Sequence, residues 1–120
     1  MKRTKIIQLN DKKIFFCNLK DVEKEEILNV SQETFSLIGV ELQKGEKANF
    51  LIDVTNLQIP PKIMEEIEVI AELHKNNINK EGIIGITGFK GTLLNIYGWL
   101  TGSQLRAFKN RELAIHWLAS

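Results

Sequence analysis

Residues 50–54 read FLIDV, and this run decides the fold class of the chain. The run is short, apolar except for Asp53, and bounded by polar residues on both sides. A continuous apolar run of this length is typical of a strand that is buried on both faces, as in a parallel sheet. We therefore predict a central buried strand from Phe50 to Val54.

The segments before and after this run alternate between strand and helix patterns. Before it, Lys5–Leu9 and Lys13–Cys17 predict a β-hairpin, and the segment from Lys24 to about Gln43 has helical periodicity. After it, Pro60 and Pro61 open the next helix, because a proline is accepted in the first turn of a helix. The first half of the chain is thus expected to fold as ββαβα.

The second half continues the alternation. The isoleucines of GIIGIT, residues 82–87, predict a second buried strand, and a helix is expected from about Phe89 to Leu100. A short strand Leu105–Phe108 follows, and Asn110 is placed to cap a last helix. The order ββαβαβαβα predicts one α/β domain over residues 1–120, with a mixed, mostly parallel sheet and helices packed on it.

Composition and charge exclude several classes of function. The chain has 120 residues, of which 43% are hydrophobic and 26% charged, as in an ordinary globular domain. A formal charge of +1 gives no long-range attraction to polyanions, so we expect no nucleic-acid partner. The single cysteine, Cys17, allows neither an internal disulfide nor a thiolate cluster. With no signal-peptide pattern and no apolar window of about 20 residues, we expect a cytoplasmic protein, or one at the membrane periphery.

The glycine-rich segment that follows the second buried strand either binds an anion or only turns the chain. A glycine turn between a strand and a helix is a setting for anion binding by backbone amides. The candidate anion loop contains Thr87, Gly88, Lys90, Gly91 and Thr92. Its order Lys-Gly-Thr and its evenly spaced glycines depart from both nucleotide-binding fingerprints. The sequence favours glycines that permit close approach of neighbouring elements, with nucleotide or anion binding as the weaker alternative.

No set of side chains has the spacing of a catalytic or metal site. His74 and His116 have no carboxylate or cysteine at a ligand-like spacing, so we expect no metal and no cofactor. Cys17 lies in the apolar run IFFC, which favours a buried structural thiol over a nucleophile. The glutamates of the helix that begins at Pro61 predict a solvated face. The chain is therefore predicted not to be an enzyme.

The predicted helix 89–100 has an almost complete apolar girdle. Leu94, Tyr97 and Trp99 lie outside its core-facing side, and Lys90 is nearby. A helix on one face of a sheet needs only an apolar stripe, and tyrosine and tryptophan are common interface anchors. We define these four residues as the candidate interaction surface. Three alternatives remain. The surface is covered by neighbouring elements such as the last helix, it contacts a protein partner or another copy of this chain, or it contacts a membrane surface or lipophilic ligand.

Taken in order, four features resemble the STAS domain and its SpoIIAA-like relatives, the fold of anti-sigma-factor antagonists. These features are the hairpin, FLIDVTNL, GIIGITGFKGTLLNIY and LRAFKNRELAIHWL. The most specific is the ending, where a strand stops at Phe108 and a helix follows that carries the motif Ala-x-x-Trp-Leu from Ala114 to Leu118. The resemblance covers essentially the whole chain. It implies a module that binds protein partners or, in some relatives, membrane surfaces and lipophilic ligands, without chemistry of its own.

The resemblance also points to one loop. Regulated antagonists of this family carry a phosphorylatable serine in an Asp-Ser-Ser-Gly-like turn after the central strand. Here that place holds LQIPPK, residues 57–62, and the nearest hydroxyl, Thr55, comes several residues too early. Thr55, Gln58 and Pro60 mark this switch position. The switch adds roughly two negative charges at a helix N-terminus, and neither proline nor isoleucine can receive a phosphate. We therefore expect no phosphorylation switch here. The expected function is a non-catalytic module that binds a regulatory protein through the predicted helix 89–100 and the adjacent loops.

Overall fold

The computed structural model describes residues 3–42, 45–86 and 104–120, in which five strands form one sheet and three α-helices pack on it. The strands are β1 (Thr4–Leu9), β2 (Lys12–Asn18), β3 (Ala48–Asp53), β4 (Ile78–Ile84) and β5 (Gln104–Phe108). The helices are α1 (Lys24–Glu41), α2 (Pro61–His74) and α3 (Arg111–Leu118), with a short 3-10 turn (Lys75–Asn77) after α2. The predicted helix 89–100 lies outside the described residues.

The sheet is mixed and mostly parallel, as the sequence predicts. Its strand order is β1-β2-β3-β4-β5. β1 and β2 are antiparallel, and every other neighbouring pair is parallel. The hairpin turn uses Asn10 and Asp11, with φ of 52° and 61°. Asparagine and aspartate tolerate this left-handed region better than most residues, which explains why the chain reverses there.

The core has two layers because β2 and β3 are apolar on both faces. On one face, Phe15 and Phe50 pack against α1 and α2. On the other face, Phe16 and Leu51 pack against α3. Every residue of β3 is buried, which confirms the prediction of a central strand covered on both sides.

The second buried strand differs from its prediction. β4 begins at Ile78, directly after the 3-10 turn, because this buried isoleucine pairs with Ala48 of β3. β4 ends at Ile84, since Gly85 adopts a φ of 89° and turns the chain out of the strand. Ile86, predicted to belong to the strand, lies after it and is only partly buried.

Candidate functional site

The loops at one edge of the sheet form the candidate site. Ligand sites of open α/β sheets form outside the carboxyl ends of parallel strands. Because β2 to β5 are parallel, their carboxyl ends meet at one edge. We define the loop edge as residues 19–23, 53–60, 85–86 and 109–110.

Asp53 is the central acidic residue of the loop edge. It is the last residue of β3, and its side chain is only 5% exposed. Its Oδ1 accepts a 3.0 Å hydrogen bond from the backbone N–H of Thr55 and a 2.6 Å hydrogen bond from the Thr55 hydroxyl. Its Oδ2 lies 3.6 Å from Nη2 of Arg111. The carboxylate therefore connects β3 to its own loop and to the start of α3.

Arg111 completes this connection from the first turn of α3. Its guanidinium carbon lies 4.7 Å from the centroid of the Phe16 ring, so the cation rests on an aromatic face while it pairs with Asp53. The preceding Asn110 caps α3, because its Oδ1 accepts a 3.0 Å hydrogen bond from the N–H of Leu113. This cap was predicted from the sequence. The Asp53–Arg111 pair was not, since nothing in either local sequence indicates it.

Two left-handed residues join the loops that follow β2 and β3. Asp21 and Asn56 have φ of 58° and 57°, and Nδ2 of Asn56 donates a 3.0 Å hydrogen bond to Oδ1 of Asp21. The backbone N–H of Asp21 donates to the carbonyl of Thr55 at 3.1 Å. An open depression of about 340 Å³ lies beside this link and is lined by Asp21, Val22, Glu23, Lys24, Asn56 and Gln58. Its lining offers both hydrogen-bond donors and hydrogen-bond acceptors at the surface.

Gly85 brings the ends of β3 and β4 into close contact. A Cβ built on Gly85 would lie 2.6 Å from the backbone N of Thr55 and 2.7 Å from its Cα, closer than side chains tolerate. At this position glycine serves the close approach of the end of β4 to the loop after β3. A second open depression, of about 380 Å³, lies beside it and is lined by Gly85, Ile86, Ala107, Phe108 and Lys109.

Comparison with known proteins identifies the fold of the chain. No protein-family profile and no curated protein matches the chain. Among solved structures, the chain is similar to an uncharacterized protein of the DUF3478 family from Shewanella loihica PV-4, which has a SpoIIAA-like fold. The TM-score is 0.66 at 17% identity, and the match covers 96% of this chain and 91% of that one. The chain has the SpoIIAA-like fold. At this identity, the similarity shows the fold alone.

The β3–α2 loop contains Thr55, Gln58 and Pro60, which the resemblance compares with the family's switch position. Leu57 is fully buried there, Gln58 is exposed, and the carbonyl of the partly buried Pro60 accepts the N–H of Met64 at 3.0 Å. The only nearby hydroxyl that the sequence indicates, that of Thr55, is held by Asp53. A phosphate on Thr55 would replace this hydrogen bond and stand beside a carboxylate, an unfavourable arrangement of like charges.

The other predicted site residues cannot be placed in this geometry. The candidate anion loop and the candidate interaction surface lie outside the described residues, which stop at Ile86 and resume at Gln104. Those residues are Thr87, Gly88, Lys90, Gly91, Thr92, Leu94, Tyr97 and Trp99.

A small apolar cavity lies between α1, α2 and the sheet. Its volume is about 40 Å³, and its lining includes Cys17, Phe35, Phe50 and Met64. Burial raises the pKa of the Cys17 thiol to about 11, so the thiol is protonated at neutral pH and behaves as a small apolar side chain. Ligand pockets usually enclose about 300–1,000 Å³, so a lipophilic molecule of that size does not fit between these helices as they are packed.

Two titratable side chains of the described chain, His74 and Glu81, make structural contacts. His74 stacks on Phe35 with ring centroids 4.9 Å apart, so it packs between α2 and α1. Within residues 3–42, 45–86 and 104–120, no group of three or more histidine, cysteine or acidic side chains could hold a metal. No helix in the same ranges is long and apolar enough to span a bilayer. Glu81, which the sequence analysis did not single out, is fully buried in β4 and interacts with a partner, as a buried carboxylate requires.

Proposed function

We propose that this SpoIIAA-like chain is a non-catalytic interaction module that binds a regulatory protein partner through the predicted helix 89–100 and the adjacent loop edge. One observation carries the proposal. The central carboxylate of the loop edge, Asp53, is engaged by Thr55 and Arg111 and so acts as a tie between elements. A general base needs a carboxylate that can reach a substrate proton, and Asp53 is directed to its own neighbours instead.

The loop edge has the properties of a contact surface. Leu57 anchors the β3–α2 loop in the core, while Asn56 and Gln58 stay exposed on either side of it. A loop held in this way can present polar groups to a partner at a small cost in conformational entropy. In the sequence, the segment that carries Tyr97 and Trp99 follows Ile86 of the loop edge. Aromatic anchors and a polar rim are both usual features of a protein interface.

Capture of a partner with matched variants tests the proposal. The wild-type chain, Tyr97→Glu and Trp99→Glu are immobilised, and the proteins they retain from the source cell are compared. Val40→Glu is the matched control, because Val40 is an apolar side chain that is 79% exposed in α1 and lies outside the proposed surface. A partner retained by the wild type and by Val40→Glu, but lost by both aromatic variants, supports the proposal. A partner retained equally by all four chains contradicts it.

The apolar girdle of the predicted helix 89–100 also favours a second function, contact with a membrane surface. Leu94, Tyr97 and Trp99 would enter the interface, and Lys90 would contact anionic headgroups. Flotation with anionic and neutral vesicles separates this function from the first. Flotation of the wild type and of Val40→Glu, together with loss in Trp99→Glu, would assign the surface to the bilayer. Absence of flotation in all three would exclude that assignment.

The weaker alternative is a nucleotide or anion at the loop from Thr87 to Thr92. The open depression beside Gly85 favours it, because Lys109 and Ile86 line that depression and Thr87 follows Ile86 in the sequence. Equilibrium dialysis with nucleotides and inorganic phosphate tests it. Saturable binding that Lys90→Ala weakens would support this alternative, and no binding would remove it.

A further inference from the structure

The outer surface of α1 and α2 is strongly acidic. The two helices carry eight glutamates and two lysines, a formal charge of −6 on a chain whose total is +1. Glu33 of α1 and Glu65 of α2 are among those that face solvent. The remainder of the chain is correspondingly basic. The nearly neutral total thus conceals two regions of opposite sign.

Four basic side chains lie on the opposite face of the sheet, around α3. Lys5 and Arg111 lie over the ring of Phe16, at 5.6 Å and 4.7 Å from its centroid. Lys80 and Arg106 lie over the ring of Trp117, at 5.2 Å and 5.8 Å. Phe16 and Trp117 both belong to the core layer that contains α3. These four cations rest on aromatic faces, which fixes their positive charge to this surface.

Each of the two surfaces also exposes large apolar side chains. Among the described residues, Val40, Val69 and Leu73 are 79%, 62% and 75% exposed on α1 and α2, and Leu113 is 52% exposed on α3. Val69 and Leu73 are four residues apart and share a helix face with Glu65. Each surface therefore combines exposed apolar side chains with charge, which is negative on α1 and α2 and positive around α3.

We propose that these two surfaces bind each other in neighbouring copies of the chain. In this contact, the α1–α2 surface of one copy faces the α3 surface of the next. Carboxylates such as Glu65 meet cations such as Arg106, while Val69 and Leu73 meet Leu113. Charge complementarity identifies the occupant, because each copy carries both halves of the contact, and a total charge of +1 gives little long-range repulsion between copies.

The position of the surfaces determines the type of assembly. They are different patches on opposite faces of one sheet, so the contact is heterologous and leaves one patch free at each end. Copies can therefore add in the same direction into a stack or close into a ring. This inference does not depend on the partner proposed for the predicted helix 89–100, because no residue of that segment is used to define either surface.

Complementary charge variants provide a direct test by light scattering. The basic surface is disrupted by Arg106→Glu with Leu113→Glu, and the acidic surface by Val69→Lys with Leu73→Lys. At about 0.1 M salt, the apparent mass of the wild type should at least double as concentration rises. At about 1 M salt it should fall towards that of a monomer, because the Debye length shrinks from about 10 Å to about 3 Å. Each double variant alone should remain a monomer.

Mixing the two double variants separates this contact from any other. Each retains the surface that the other has lost, so an equimolar mixture should form a dimer and stop there. Leu113→Glu also places a glutamate three residues after the Asn110 cap, a favourable position, so folding should be preserved and circular dichroism should verify it. Lys12→Glu, at the β1–β2 turn, makes the same charge change as Arg106→Glu but away from these contacts, and should associate like the wild type.

Three results would overturn the proposal. A wild type that stays monomeric at every concentration at low salt would do so. Association that persists in both double variants would assign it to another surface. A mixture of the two variants that remains monomeric would show that the surfaces do not recognise each other.

Discussion

The hydroxyl of Thr55 donates a 2.6 Å hydrogen bond to Oδ1 of Asp53, while Oδ2 of the same carboxylate faces Arg111 at 3.6 Å. Asp53 thereby joins the end of β3, its loop and the beginning of α3. The loop edge owes its shape to this side chain. The following predictions test the individual contacts that hold it.

Removing the Thr55 hydroxyl should destabilise the chain. Thr55→Val keeps the shape of the side chain but takes one hydrogen bond from the nearly buried Asp53, so we expect a loss of about 2 kcal/mol in the free energy of unfolding. Urea denaturation measures it. Thr55→Ser, which keeps the hydroxyl, should lose much less. Equal losses in the two variants would show that the hydrogen bond is not the cause.

A side chain at Gly85 should be tolerated poorly. Gly85→Ala forces a Cβ against the Thr55 backbone at a φ of 89°, and we expect a loss of more than about 2 kcal/mol. Gly39→Ala is the matched control, because a Cβ at this position in α1 meets nothing within 4 Å. It should stabilise the chain by up to about 1 kcal/mol through helix propensity. Thermal unfolding measures both effects. If the two substitutions shifted the unfolding temperature in the same direction, this interpretation would be contradicted.

The cap of α3 should contribute measurably to stability. Asn110→Ala removes the acceptor of the Leu113 N–H, with an expected loss of about 1 kcal/mol. Asn110→Asp keeps an acceptor and places a negative charge at the helix N-terminus, so it should unfold at a similar denaturant concentration to the wild type. Because α3 covers one face of the sheet, the near-ultraviolet circular dichroism signal of Trp117 would report the unfolding of α3. Wild-type stability in Asn110→Ala would exclude a role for the cap.

The buried thiol of Cys17 predicts a specific dependence of stability on pH. Burial raises its pKa from 9.0 to about 11, so between these pH values the folded chain retains a proton that the unfolded chain has lost. The stabilisation is complete below pH 9 and is lost as pH rises through 11, a change of roughly 2–3 kcal/mol.

The control for this prediction is Cys17→Ala, which has no thiol to titrate. The difference in unfolding free energy between the wild type and Cys17→Ala should decrease from pH 9 to pH 11, because the other titrating groups cancel in the difference. A constant difference would show that the thiol titrates alike in both states.

Much of the architecture follows from local sequence patterns. The buried strand of the apolar run FLIDV, the N-terminal hairpin and the Asn110 cap each depend on a few neighbouring residues, so periodicity and turn chemistry predict them. The start of β4 was missed because Ile78 gains its burial by pairing with Ala48, which lies on a distant segment. Strand boundaries depend on such partners more than on propensity.

The candidate site was less predictable for the same reason. Asp53 and Arg111 meet only after β3 has paired with β4 and α3 has packed across them. Glu81 has a charged side chain that propensity would place in solvent, but the sheet register sets it opposite Phe50 on the face covered by α1 and α2. Neither relationship has a local signal in the sequence. The fold was therefore accessible from the sequence, and the contacts of its loop edge were not.

The central claim is that the aromatic residues of the predicted helix 89–100 bind a protein partner. The most direct test is a calorimetric titration of the purified partner with the wild type, Tyr97→Glu, Trp99→Glu and the control Val40→Glu. We expect each aromatic variant to lower the affinity at least about tenfold, or about 1.4 kcal/mol, while the control binds like the wild type. Unchanged affinity in both aromatic variants, with their folding verified by circular dichroism, would contradict the claim.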